Sequence, residues 1–206
     1  MSSTGTSPSK ASELRNQFVT ATVLRSAELG KRGFSREYLR TALTQGVIEK
    51  VGRGLYTAAA APITEQHSFV QVARKVPHAV ICLMSALAFH KFTTQMPSDV
   101  WLAIGPKDWV PKIDFVSNRV FRFSGAALTE GVQIHQIEGT KVRVYSPAKT
   151  VADLFKFRNK IGIDVACEAL REGWRERLFT MDELLRYEEI CRVRNVMKPY
   201  VTALLA

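Results

Sequence analysis

The stretch VLRSAELGKRGFSREYLRTALTQGVIEKVGRGLYT, residues 23–57, decides the fold of the first part of the chain. It is dense in start and stop signals. Ser26 reads as a helix cap, followed by Ala27 and Leu29, with Gly30 or Gly33 as terminators. Ser35 fits the N-cap of a helix from Arg36 to Gln45, because its hydroxyl can accept a backbone N–H that the first turn leaves unpaired. Gly46 stands where a C′ glycine belongs. Two short apolar runs, Val47–Val51 and Leu55–Thr57, then flank Gly52-Arg53-Gly54. Glycines on both sides of an arginine permit positive φ and mark a hairpin. Short helix, turn, capped helix and a hairpin with a basic tip is the order of a winged helix-turn-helix.

A helix that enters the major groove needs a face free of core contacts and rich in donors. On a wheel of residues 36–45, Leu39, Ala42 and Leu43 cluster on one side, and Glu37, Thr41, Thr44 and Gln45 point away. Arg36 and Arg40 flank the apolar stripe, with Tyr38 on the other flank. Lys50 and Arg53 lie on the hairpin, where Arg53 can enter a minor groove or grip phosphate. The candidate DNA-binding set is therefore Ser35, Arg36, Tyr38, Arg40, Thr41, Thr44, Gln45, Lys50 and Arg53, with Ser35 serving as cap or contact. For each side chain alone, a solvated helix face is the competing reading. Glu37 is unfavourable near phosphate, although it can accept from cytosine N4.

Working outward, residues 1–10, rich in Ser and Thr, read as a flexible tail. Leu14, Phe18 and Ala21 recur at helical spacing. Ala58–Pro62 loses all patterning and reads as a linker, so the winged helix-turn-helix is assigned to residues 11–60 and a C-terminal domain to 63–206. The fold class is α+β, an N-terminal winged helix-turn-helix followed by a mixed α/β C-terminal domain. In that second part Phe69, Val72, Ala73 and Val76 mark a helix face, and Ile81–Phe89 reads as a buried helix. Val100–Ile104 and Arg119–Phe123 read as strands, and Glu138-Gly139-Thr140 as the turn between two alternating runs. Ser146-Pro147 opens a helix that Gly162 ends, and the next helix stops near Gly173. Thr180 with Glu183 makes a capping box, and a last helical stretch runs through Ile190, Val193 and Met197.

The 206 residues carry 29 Lys and Arg against 19 Asp and Glu, a net charge of +10. Such an excess points to a polyanionic partner. Residues 1–62 hold nine Lys and Arg against four Asp and Glu, and residues 63–206 hold twenty against fifteen. Each part thus has an excess of five, but the first is less than half as long. The longest apolar run, Ala79–Phe89, is too short for a spanning helix, and residues 1–11 lack the apolar core of a secretory signal. Cys82, Cys167 and Cys191 have no C-x-x-C spacing and fit a reducing cytoplasm. His67, His78, His90 and His135 show no metal spacing with them, and no P-loop or dinucleotide glycine fingerprint occurs. There is no Asp/Glu-x-Lys element for a nuclease metal. No cofactor, no metal and no enzymatic activity are expected. Within the basic run Lys149, Lys156, Arg158, Lys160, Arg171, Arg175 and Arg177, the three lysines would share one helix face as a surface for RNA, DNA or an acidic substrate. The competing reading is a solvated face balanced by Asp153, Glu168, Glu172 and Glu176.

The runs Ala27-Glu28-Leu29, Gly33-Phe34-Ser35-Arg36, Gly46-Val47-Ile48 and Val51-Gly52-Arg53-Gly54-Leu55-Tyr56 resemble the winged-helix domain of AbiEi-type antitoxins. The later runs resemble that family's C-terminal domain. These are Ser85–His90, Thr93–Pro97, Val100–Ile104 and, most specifically, Val142-Arg143-Val144-Tyr145-Ser146-Pro147-Ala148-Lys149-Thr150-Val151-Ala152-Asp153. The resemblance spans about residues 20 to 204. It implies a cytoplasmic bacterial antitoxin of the type IV class. Such a protein represses its own operon by binding operator DNA through the winged helix. It also counters a nucleotidyltransferase-like toxin encoded beside it, without needing a stable complex. The alternative is an antitoxin that docks directly on the toxin, with DNA binding secondary. The family's recognition helix often has more Arg than this one, which carries Glu37, Thr41 and Thr44. The chain is not the toxin itself, since it contains neither Gly-Ser nor Asp-x-Asp.

Overall fold

The computed structural model describes residues 9–59, 61–92 and 97–205. Helix α1 (Lys10–Asn16) is capped by Ser9, whose hydroxyl accepts from the Ser12 N–H at 3.2 Å. Strand β1 (Val23–Arg25) leads into α2 (Ser26–Lys31), and α3 (Arg36–Thr44) follows. Strands β2 (Ile48–Gly52) and β3 (Leu55–Ala58) form the hairpin, and β3 also pairs antiparallel with β1. The order is thus that of a winged helix. Leu14, Leu29, Leu39 and Ala42 of the three helices meet Phe18, Leu24, Phe34 and Ile48 in one core. The next helix, α4 (His67–Lys75), buries Phe69, Val70 and Val72 and packs on β1.

The chain divides into two compact units. The first runs to Pro77 and adds residues 113–116 and 136–142; the second holds 78–112, 117–135 and 143 onward. The division therefore falls after α4, not at Ala58–Pro62 as the loss of patterning suggests. Arg74 supplies the reason. Its guanidinium donates to the Glu28 carboxylate at 2.9 Å and to the Thr140 hydroxyl at 3.1 Å, and its carbonyl accepts from Arg25 Nε at 2.9 Å. Of the expected tail, residues 1–8 lie outside the described residues, and Ser9 and Lys10 belong to α1 and its cap. Ala60 of the expected linker also lies outside them. Ser26 is the first residue of α2 rather than its cap; its N–H donates to Gly54 O at 2.9 Å, which ties the hairpin to α2.

The turn at Glu138 and Gly139 has φ of 47° and 70°. A Cβ on Gly139 would lie 1.6 Å from the Thr20 carbonyl oxygen, so this turn admits only glycine. Beside it the Glu138 carboxylate gathers four donors: the Thr22 hydroxyl, the Thr64 N–H at 2.7 Å, the Thr64 hydroxyl at 2.9 Å and His67 Nδ1 at 2.7 Å. Burial alone would raise this carboxyl. The hydrogen bonds from Thr22, Thr64 and His67 outweigh burial and hold it below the usual range.

The remaining elements are β4 (Val80–Ile81), α5 (Leu83–Phe89), β5 (Val100–Ile104), β6 (Asn118–Arg122), α6 (Ala126–Thr129), β7 (Val132–Ile137) and β8 (Thr140–Tyr145). Helices α7 (Pro147–Lys156), α8 (Arg158–Ile161), α9 (Ile163–Arg175), α10 (Met181–Cys191) and α11 (Arg194–Leu205) complete the chain. The sheet order is β6-β5-β4-β8-β7. It is mixed: β4 runs antiparallel to β5 and parallel to β8. Helix α7 lies at the centre of the second unit, contacted by α5, α9, α10 and α11.

Three helix readings need correction. Ile81 belongs to a short strand, because β-branched Val80 and Ile81 pair with Ala103 and Leu102 before the helix starts. The helix opened by Ser146 and Pro147 breaks at Phe157, and Gly162 ends only the short α8. Helix α9 ends at Arg175, near Gly173 as expected; Gly173 itself lies in the last turn, where a Cβ would come within 2.3 Å of the Phe179 ring. The stretch through Ile190, Val193 and Met197 is two helices, separated by Arg192 at a φ of 56°. The Thr93–Met96 part of the family resemblance lies outside the described residues.

Candidate nucleic-acid interface

Helix α3 forms because Ser35 caps it and Gly46, at a φ of 66°, releases the chain after it. The Ser35 hydroxyl accepts from the Tyr38 N–H at 3.2 Å, so this side chain is occupied as the cap. Leu39 and Ala42 are fully buried, which turns the opposite face outward. Arg36, Glu37, Arg40, Thr41, Thr44 and Gln45 are all exposed there. The Thr41 and Thr44 hydroxyls donate back to the Glu37 and Arg40 carbonyls, at 3.3 and 3.1 Å, and present their methyls and free lone pairs to solvent. Thr41, Thr44 and Gln45 are therefore exposed side chains of short reach, while Arg36 and Arg40 have long reach.

Tyr38 is half-buried rather than free. Its ring stacks on Phe34 with centroids 6.0 Å apart, and Lys10 Nζ lies 4.8 Å from its centroid. The tail reading hid this lysine; the Ser9-x-x-Ser12 spacing was the signal for a capped α1 that carries it to the recognition helix. On the hairpin, Lys50 and Arg53 are exposed, with Arg53 at the tip before Gly54, whose φ is 75°. A cleft of about 430 Å³, lined by Ser26, Gly30, Phe34, Ser35 and Arg36 among others, opens at the start of α3. Arg36, Arg40, Lys50 and Arg53 form no ion pair with a carboxylate among the described residues. This face can accept phosphates through its free cations and the positive end of α3.

The proposed basic face of Lys149, Lys156 and Lys160 does not exist as one surface. Lys149 is fully buried in the core of the second unit. Its ammonium donates to Asp153 Oδ2 at 2.5 Å and lies 4.1 Å from the Tyr145 ring centroid and 4.9 Å from that of Phe123. Burial pushes the Asp153 carboxyl up to about 6, an effect that the Lys149 charge opposes. The Cys191 thiol donates to the same carboxylate at 3.2 Å, and burial pushes it up to about 12. Lys156 is on the surface but donates to the Cys191 carbonyl at 2.9 Å. Lys160 lies in the separate helix α8, 5.9 Å over the Phe121 ring. Three lysines at helical spacing looked alike in sequence because spacing places a residue on a face without saying whether the face is wet.

Of the histidines, His67 serves Glu138, and His90 Nε2 donates to the Tyr145 carbonyl at 2.7 Å. Burial lowers the His90 pKa. No group of three His, Cys, Asp or Glu side chains suited to a metal ion occurs among the described residues, and none of their helices is long and apolar enough to cross a membrane.

The fold is similar to that of the RV2827C protein from Mycobacterium tuberculosis, known from a crystal structure. The TM-score is 0.58 at 13% identity, covering 88% of this chain and 72% of that one. Comparison with curated proteins gives no sequence match. A family model described as "Transcriptional regulator, AbiEi antitoxin" matches residues 21–59. These residues run from just before β1 through the β2–β3 hairpin and include every candidate DNA contact named above. Over this winged-helix segment, the chain carries the signature of the AbiEi-type antitoxin transcriptional regulators.

Proposed function

We propose that the protein is a DNA-binding autorepressor and antitoxin that counters a nucleotidyltransferase-like toxin encoded in the same operon. The observation that carries this reading is the exposed set Arg36, Arg40, Lys50 and Arg53, without an ion pair among the described residues, inside the segment that matches antitoxin regulators. In this reading α3 enters the major groove. Arg36 and Arg40 reach base edges or phosphates, and Arg53 grips the backbone or a minor groove. The protein acts by binding and needs no cofactor. The resemblance of residues 142–153 to the C-terminal antitoxin domain supports the second role, with the second unit facing the toxin.

Fluorescence anisotropy with labelled DNA from immediately upstream of the gene, against a scrambled duplex of equal length, tests the repressor. The upstream DNA is expected to bind roughly a thousandfold more tightly. Five to eight phosphate contacts would give a log–log salt slope of about −5 to −7. Equal, steeply salt-dependent binding to both duplexes would refute autorepression.

A further inference from the structure

A cavity of about 330 Å³ opens in the second unit, walled by the end of β6, the last turns of α7 and the end of α10. Each of these elements brings one cation to its lining: Arg122, Lys156 and Arg192. All three are exposed, and none forms an ion pair with a carboxylate among the described residues. Two are held in place by neutral oxygens. Arg122 Nη1 donates to the carbonyls of Gly105, Pro106 and Asp108 at 2.9, 2.8 and 2.9 Å, and Lys156 Nζ to the Cys191 carbonyl at 2.9 Å. These bonds fix the side chains without cancelling their charge. Arg192 ends α10 with φ of 56° and ψ of 47°, a left-handed conformation that favours glycine. An arginine here stands against its backbone preference, as residues of binding sites often do. Three like charges that converge repel one another until an anion enters between them.

The rest of the lining narrows the ligand. Phe157 and Ile190 are half-buried in it and form an apolar wall. Asp153 is the one carboxylate of the lining among the described residues, and it is buried. Its Oδ2 accepts from Lys149 at 2.5 Å and its Oδ1 from Cys191 at 3.2 Å. A carboxylate oxygen has two lone pairs, so one on each oxygen remains for further N–H donors. A buried ion pair is a weak stabilising device, but beside a cavity it supplies an acceptor. A phosphate suits the three cations, a flat ring suits the wall, and an N–H edge suits Asp153. A nucleotide carries all three groups, and the volume lies at the small end of ligand sites. Inorganic phosphate would leave the wall uncovered, and an apolar carboxylic acid would leave Asp153 unused.

We propose that this cavity binds one nucleotide by its phosphate, either a free mononucleotide or the phosphorylated end of a single strand. The test is isothermal titration of the full chain with AMP, GMP, CMP and UMP, with inorganic phosphate and adenosine beside them. Two short single strands of one sequence, with a 5′-phosphate and with a 5′-hydroxyl, separate the two sources. At least one mononucleotide, or the phosphorylated strand alone, is expected to bind at one per chain and more tightly than phosphate or adenosine. Arg192→Gly removes one cation and relieves the left-handed backbone. It is expected to bind that ligand roughly tenfold more weakly or worse, with the melting temperature unchanged or raised. Binding of a mononucleotide assigns the site to a free ligand, and binding of the phosphorylated strand without any mononucleotide assigns it to a strand end. Four results would overturn the proposal. They are no saturable binding of any of these ligands, phosphate binding as tightly as the mononucleotides, equal binding of the two strands with no mononucleotide bound, and affinity unchanged in Arg192→Gly.

Discussion

Arg36, Arg40, Lys50 and Arg53 of the first unit stand in solvent without carboxylate partners among the described residues, whereas the second unit neutralises many of its own cations. There Lys149 is buried on Asp153, and Arg119, Arg175, Arg186 and Arg194 face Asp99, Glu172, Glu130 and Glu189. Residues 1–62 and 63–206 have the same excess of positive charge. Ion pairing leaves that excess unchanged; what differs is that in the first part it is spread over less than half the length and sits on cations that no carboxylate holds among the described residues. Net charge counted along a sequence therefore does not tell which region presents its cations to a polyanion.

The largest test of this contrast is at the buried pair. Lys149→Met should strand Asp153 in the core and cost about 3–5 kcal/mol, a fall of roughly 10 °C in Tm. Lys149→Met/Asp153→Leu should recover most of that loss, since two apolar side chains leave no charge uncompensated. If thermal unfolding shows the single variant as stable as wild type, Lys149 is not part of the core. Next in size is Glu138→Gln, expected to cost about 2 kcal/mol at neutral pH through its weakened hydrogen bonds. The folded-state carboxyl is depressed, so its contribution is complete above the unfolded value of about 4.3 and disappears as pH falls through the folded value. Denaturation curves should thus show the difference between wild type and variant shrinking below about pH 4; a constant difference would break the assignment.

On the DNA side, Arg40→Ala is expected to weaken operator binding about tenfold while moving stability by less than about 0.5 kcal/mol. A loss of stability with unchanged binding would place Arg40 with the self-neutralised cations of the second unit. Arg53→Ala should lower the salt slope by about 1 if the tip touches a phosphate. The smallest effect belongs to Arg186→Ala, whose exposed pair with Glu130 should be worth less than about 0.5 kcal/mol by denaturation.

Local rules made the first region readable. Ser35 capping α3, Gly46 ending it and Arg53 between two glycines are all decided within a few residues, and so is the Thr180–Glu183 capping box of α10. The sequence misled where distant parts of the chain decide. Lys149 is buried because Tyr145, Phe123, Asp153 and Cys191 surround it, and only one of these shares its helix. Gly173 marks the end of α9 to within two residues, but its second role, admitting the Phe179 ring, is invisible in propensity. The division after α4 escaped detection because it rests on Arg74 reaching Thr140, 66 positions away.

The Gln136–Val142 turn has a consequence for inheritance. Because it belongs to the same compact unit as residues up to Pro77, that unit is not contiguous in the gene. A crossover after the hairpin, near residue 62, would transfer the DNA-reading helices without Glu138, and Thr22 would lose its acceptor. Residues 1–62 are thus not a cassette that one recombination event can move intact, and descendants of this protein are expected to keep the winged helix and the later chain together or to lose both.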